Sequence, residues 1–126
     1  MIKKLTQPEI VYIKIFENKV EVRNCNGNGV TASESDFFSS TRNLVGSFNI
    51  AEALVKKTIE KVIKKRLLRK AVFGLIQGID KSEGGYSEVE ERVLRELAFG
   101  AGCFNVVVWY GNHLSDEEVI EKYKSK

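Results

Sequence analysis

The sequence predicts a single α/β domain built on a mixed sheet, and two observations lead to that class. Near the N-terminus, two β-branched segments flank a turn signal, which predicts an antiparallel hairpin. Beyond them, amphipathic helical patterns alternate with short apolar segments, which predicts helices packed on strands. The chain has 126 residues, 43% of them hydrophobic and 29% charged, which is typical of one globular domain. The predicted order over residues 1–126 is β-β-(β)-α-β-α-β-α.

The hairpin is predicted from residues 10–16 (IVYIKIF) and from the alternating residues 20–23. Glu17-Asn18-Lys19 between them is the turn signal. Residues 24–29 (NCNGNG) contain two Asn-Gly dipeptides, which tolerate a positive φ and predict a second turn. A short third strand is therefore expected at residues 30–32.

Residues 33–47 are rich in Ser, Thr and Asn and predict a long, partly irregular loop. Such a loop is usually attached to the body by its apolar side chains, which here are Phe37, Phe38 and Leu44. If the phenylalanines are exposed instead, they indicate an interaction surface.

The first helix is predicted over residues 49–66, with Ser47 or Asn49 as N-cap. Its apolar residues recur with a period of 3.6 and its lysines occupy the other face. Residues 71–77 (AVFGLIQ) then form a continuous apolar segment, which predicts a strand buried on both faces.

The second half of the chain carries two capping boxes. Ser87 with Glu90 predicts a helix whose buried stripe is Val89, Val93, Leu94 and Leu97 and which ends at the glycines 100 and 102. Residues 104–109 (FNVVVW) predict another strand. Ser115 with Glu118 predicts a last helix to about residue 123, followed by a frayed tail at 124–126.

Several classes of protein are not expected. Cys25 and Cys103 lie far apart and, with His113 alone, do not make a zinc pattern. We predict two reduced thiols, no metal and no cofactor. No apolar segment approaches 20 residues, so no membrane span is expected. The start MIKKLTQPE lacks the apolar core of a secretory signal, which favours a cytoplasmic location.

No arrangement of side chains predicts catalysis. His113, Ser115 and Asp116 are neighbours in one helix-capping turn, whereas a triad assembles its members from separate elements. The loop around Gly84-Gly85 precedes a helix but lacks the Lys of a phosphate-binding loop. We therefore predict that the chain is not an enzyme.

The most pronounced local feature is a basic segment. Residues 56–70 contain eight basic residues and a single acidic one, Glu60, although the net charge of the whole chain is only +3. The basic residues are Lys56, Lys57, Lys61, Lys64, Lys65, Arg66, Arg69 and Lys70. A solvated helix face, a protein partner, nucleic acid or an anionic membrane would each account for it. The candidate partner-binding residues are Lys57, Lys61, Lys64 and Lys65, together with Phe37 and Phe38.

Two stretches resemble the MreB-type bacterial actins. In residues 86–110 the matching residues are Val89-Glu90-Glu91-Arg92, Arg95-Glu96, Ala98 and Gly100-Ala101-Gly102; in residues 41–63 they are Arg42, Leu44, Phe48, Glu52, Ala53 and Leu54. The resemblance covers the larger part of the chain. It implies a stand-alone first actin subdomain, which is a ribonuclease-H-like half, without the second lobe.

The departures from that family concern its nucleotide site. Tyr12, Lys14 and Ile15 stand where the resemblance places the Asp, Gly and Thr of the first phosphate loop. Tyr110-Gly111-Asn112 stands where the family has its catalytic Glu. Nucleotide hydrolysis is therefore not expected.

The function predicted from the sequence is a non-catalytic protein-interaction domain. The resemblance makes an actin-like cytoskeletal protein, with a link to cell shape, the favoured partner. A nucleic-acid-binding module using residues 56–70 is the first alternative, and a residual nucleotide binder is the second.

Overall fold

A computed structural model describes residues 8–27, 29–63 and 72–125. Within these ranges there are five strands: β1 (Glu9–Phe16), β2 (Lys19–Asn24), β3 (Thr31–Ser35), β4 (Val72–Gly78) and β5 (Asn105–Trp109). The same described residues form three helices: α1 (Phe48–Val62), α2 (Glu88–Gly100) and α3 (Asp116–Lys124). The predicted order of elements is confirmed.

The strands form one mixed sheet in the order β3-β2-β1-β4-β5. Strand β2 pairs antiparallel with both β1 and β3, with Ile13 opposite Val22 and Val22 opposite Ala32. Strand β4 joins β1 in parallel, with Ile13 opposite Ile76, and β5 joins β4 in parallel. The predicted α/β class with a mixed sheet is therefore confirmed.

Helices cover both faces of this sheet. Helices α1 and α2 pack together on one face, over a core that includes Val11, Ile13, Ile76 and Leu97. Helix α3 packs on the other face, over Tyr12, Phe73 and Leu75. Strands β1 and β4 are buried from both sides, which is why they read as continuous apolar segments.

The turns behave as their residue types predict. Asn18 adopts φ 58° between β1 and β2, a conformation that Asn tolerates. The Ser87 and Ser115 side chains each accept the backbone N–H three residues on, and both capping boxes are complete. Ser47 is the N-cap of α1, but its side chain makes no capping hydrogen bond.

Three boundaries differ from the expectations. Strand β3 extends to Ser35, so the irregular loop starts at Asp36 and not at residue 33. The register with β2 accounts for this, since Ser35 pairs with Lys19. Helix α3 includes Lys124, so the predicted fray at that residue is wrong. The predicted end of α1 at residue 66 is wrong: the helix ends at Val62, because the next residue, Ile63, has an extended backbone (φ −112°, ψ 162°).

One predicted core residue is also wrong. Val89 shares the helical period of the buried stripe, yet it is 71% exposed. It lies in the first turn of α2, where the periodicity continues past the part of the helix that packs on the sheet. Leu94, Leu97 and Ala98 carry the burial.

Among the described residues, no helix is long and apolar enough to cross a membrane.

Candidate functional site

The predicted partner-binding lysines that the structure describes lie beside edge strand β3. Lys57 Nζ is 3.6 Å from Glu34 Oε1, and Lys61 Nζ bonds Glu34 Oε2. The hydrogen bond from Lys61 holds the pKa of Glu34 below its ordinary value. The lysine side chains stay 61% and 48% exposed, so a partner can still reach both. Lys64 and Lys65, like Arg66, Arg69 and Lys70, lie outside the described residues.

The two predicted phenylalanines have opposite surroundings. Phe38 is 1% exposed and belongs to the core under α1 and α2, so its assignment as a contact residue is wrong. Phe37 is 84% exposed. Both residues lie beyond the end of β3, and Phe37 is at a bend of the chain. An aromatic pair in such a loop does not reveal from sequence which member is buried.

The backbone that carries Phe37 is held by several hydrogen bonds. Asn18 Oδ1 accepts the N–H of Phe38 at 3.0 Å and that of Ser39 at 2.8 Å. The carbonyl of Phe38 accepts the N–H groups of Gly46 and Ser47 at 2.7 and 2.8 Å. Phe37 is therefore presented from a fixed backbone next to a buried anchor. We refer to Phe37, Glu34, Lys57 and Lys61 as the Phe37 surface.

A second feature is a cleft of about 740 Å³ at the carboxyl ends of β1, β4 and β5. In sheets with parallel strands this edge is the usual place for a ligand. Its polar lining consists of Lys14, Gln77, Ser82, Glu83, Asn112 and His113. Lys14 and Gln77 are register partners on neighbouring strands, so they face the cleft side by side.

Buried hydrogen bonds form the floor of this cleft. The Tyr12 hydroxyl donates to Gln77 Oε1 and accepts the Leu114 N–H at 3.2 Å. Gln77 Nε2 donates to the carbonyl of Gly111 at 2.8 Å. Burial raises the pKa of Tyr12 above its ordinary value, so the hydroxyl remains a donor at neutral pH. These hydrogen bonds hold Tyr12, Gln77 and the backbone at Gly111 and Leu114 in fixed positions relative to one another.

The rim of the cleft is braced in the same way. The Tyr86 hydroxyl accepts the Gly78 N–H at 2.9 Å and donates to the Trp109 carbonyl at 2.6 Å. This ties the ends of β4 and β5 together. The Lys14 ammonium lies 5.1 Å from the centre of the Tyr12 ring, and the His113 ring is 5.5 Å from it.

The sequence contained an indication of this cleft, namely polar residues within apolar strands, although none of its motifs pointed to it. Lys14 interrupts the apolar strand β1, and Gln77 is a polar residue within the apolar β4. Tyr12, Lys14 and Tyr110-Gly111-Asn112 converge here. The parallel pairing of β1 with β4 and of β4 with β5 brings them together.

The cysteines offer no reactive site. Cys25 and Cys103 are buried free thiols, and burial raises the pKa of each to about 12. Thiolates are the reactive form, so both are inert near neutral pH. Within residues 8–27, 29–63 and 72–125, no group of three His, Cys, Asp or Glu side chains is placed to hold a metal ion.

Comparison with known proteins gives one distant relative. The chain is similar to the uncharacterized protein YjaA of Escherichia coli (strain K12), with 28% identity over 97 residues. The aligned part covers 73% of this chain and 76% of YjaA. No family model matches the chain. The alignment therefore covers a similar share of both chains. It assigns no activity to this chain, because YjaA is itself uncharacterized.

Proposed function

We propose that this chain is a non-catalytic protein-interaction domain that binds its partner through the Phe37 surface. The observation that carries the proposal is the 84% exposure of Phe37 on a backbone held by Asn18 and Phe38. A phenylalanine kept in water forgoes the free energy of burial, about 2 kcal/mol. Burial of Phe37 in an interface with a partner would recover this free energy.

The geometry suits an anchor residue. Aromatic side chains that fill a pocket on the partner commonly dominate binding energy. A backbone fixed before binding lowers the entropy that association costs. Lys57 and Lys61 lie along the adjoining β3 edge with their ammonium groups partly exposed, and such charges at an interface rim favour a partner with an acidic face.

The partner we propose is an actin-like cytoskeletal protein in the cytoplasm, with a role linked to cell shape. Support for this partner comes from the resemblance of residues 41–63 and 86–110 to the MreB-type actins. The order of strands and helices agrees with the subdomain that the resemblance implies.

Co-sedimentation with filaments of a purified MreB-type actin tests this function. We expect the wild-type chain to pellet with the filaments, and Phe37→Ala to bind about thirtyfold more weakly, as loss of an anchor worth about 2 kcal/mol requires. Phe99→Ala is the matched control, because it removes a 46% exposed phenylalanine from the end of α2. It should bind as the wild type does.

Two results would count against the proposal. If the wild-type chain stays in the supernatant at every filament concentration, the cytoskeletal partner is wrong. If Phe37→Ala and Phe99→Ala bind equally, the Phe37 surface is not the interface. Capture from lysate with and without nuclease separates nucleic acid from protein: recovery that depends on nucleic acid would favour the basic segment as its binding site.

The cleft at the carboxyl ends of β1, β4 and β5 favours a second candidate function, the binding of a nucleotide. Lys14 supplies a positive charge there, while Glu83 opposes a phosphate. Mg·ATP at about 100 times its dissociation constant would stabilise the fold by about 2.7 kcal/mol. A thermal shift that disappears in Lys14→Ala would support this function, and no shift in the wild type would exclude it.

A further inference from the structure

The edge strand β5 lies in an unusually uncharged part of the chain. From Leu97 to Asn112 there is no Asp, Glu, Lys or Arg, in a protein of which 29% is charged. Aromatic side chains flank the strand: Phe104 is 70% exposed before it and Tyr110 is 50% exposed after it. An apolar edge without charges favours pairing with another strand.

The outer backbone of β5 is arranged for such pairing. The Phe104 N–H donates to the Val72 carbonyl at 2.7 Å, so the backbone N–H of Phe104 points toward β4. Backbone groups alternate sides along a strand. The N–H and C=O groups of Asn105 and Val107 therefore point away from β4, toward the edge of the sheet that the described residues form.

We propose that β5 pairs antiparallel with β5 of a second copy of this chain, which joins two five-stranded sheets across a twofold axis. Val107 is the middle residue of β5, and its outward backbone groups place it on the axis. In that register Asn105 lies opposite Trp109 of the partner subunit. Phe104 then lies opposite Tyr110 of the partner subunit, so both exposed aromatics become buried.

A second copy fits this edge better than a charged partner does. A twofold contact places the strand against its own copy, so a strand with a net charge would repel that copy, and β5 has no charged residue. The opposite edge differs in this respect. Strand β3 carries Glu34 and is followed by Asp36, and charges on an edge strand oppose self-pairing.

The mass in solution tests the dimer. Sedimentation equilibrium of the full chain should give twice the chain mass of 14.2 kDa. Phe104→Lys should weaken self-association about a hundredfold, because each dimer loses two aromatic contacts and gains two desolvated charges. The control Ser33→Lys places the same charge in the middle of exposed β3 and should leave the dimer unchanged.

A double variant tests the register. Phe104→Lys combined with Tyr110→Glu places opposite charges across the axis and should recover much of the association that Phe104→Lys loses. Val107→Cys should form an intersubunit disulfide under mild oxidation, because cross-axis Cα atoms of a hydrogen-bonded pair are about 5.5 Å apart. Ser33→Cys should not, and the buried native thiols are common to both variants.

Four results would overturn the proposal: a wild-type monomer at every concentration tested, equal weakening by Phe104→Lys and Ser33→Lys, no recovery in the double variant, or no cross-link at Val107→Cys. A folded wild-type monomer that binds an added apolar strand peptide through β5 would show that the edge serves a different protein. Circular dichroism of each variant separates these results from a failure to fold.

Discussion

Tyr12 shows how one side chain joins distant parts of the chain. Its hydroxyl connects β1 to Gln77 on β4 and to Leu114 ahead of α3, and its side chain is 1% exposed. A buried phenol with partners on both sides braces the cleft floor and supplies no carboxylate for a metal ion.

We expect Tyr12→Phe to lower the free energy of unfolding by about 1–3 kcal/mol, because Gln77 Oε1 and the Leu114 N–H lose their buried partner. Urea unfolding followed by circular dichroism measures the change. Tyr110→Phe is the control, since its side chain is half exposed, and it should change stability by less than about 0.5 kcal/mol. Equal losses in the two variants would show that the Tyr12 hydrogen bonds are not the cause.

At the scale of secondary-structure elements, the N-termini of the helices were the features that the sequence predicted most directly. The capping boxes of α2 and α3 are local patterns four residues long, and both form as predicted. The start of α1 was less certain from sequence, with Ser47 and Asn49 as alternatives. Ser47 takes the position through its extended backbone, and its side chain adds no hydrogen bond to the helix end.

Because the Ser87 side chain caps its helix and the Ser47 side chain does not, substitutions of the two residues form a matched pair. Ser87→Ala should lower stability by about 1 kcal/mol, because the N–H of Glu90 loses its acceptor. Ser47→Ala removes the same hydroxyl from the N-cap of α1 and should be near neutral, because that hydroxyl makes no capping bond. Thermal unfolding of both variants measures the contrast, and similar losses would contradict it.

At the scale of the whole molecule, the hairpin side of the sheet is tied to the C-terminal helix. Arg23 on β2 bonds both oxygens of Asp116 in the first turn of α3, at 2.8 and 3.1 Å. The hydrogen bond from Arg23 holds the pKa of Asp116 below its ordinary value. The pair therefore links β2 directly to the start of α3.

The lowered pKa of Asp116 predicts that the stability of the fold decreases at acidic pH. Its contribution to stability is present above about pH 4, near the ordinary pKa, and is lost as pH falls through the lower native value. Because the pair is partly exposed, we expect about 1 kcal/mol or less. Asp116→Asn should therefore lose less stability than the wild type between about pH 5 and pH 2.

Urea unfolding at several pH values measures this slope. Glu117→Gln is the control, because it removes a neighbouring exposed carboxylate that has no ion pair in the described structure. It should keep the slope of the wild type. An unchanged slope in Asp116→Asn would show that the ion pair contributes nothing to stability.

The sequence by itself determined the class of fold, the order of the elements and the two capped helix starts, because periodicity and capping depend on residues a few positions apart. Only the tertiary structure decided that Phe37 is exposed and Phe38 buried, that Val89 lies outside the core, and that Lys57 and Lys61 pair with Glu34. It also decided that Lys14 and Gln77 share a cleft. These outcomes depend on which strands pair and which faces the helices cover, and contacts between residues far apart in the chain leave no local pattern to read.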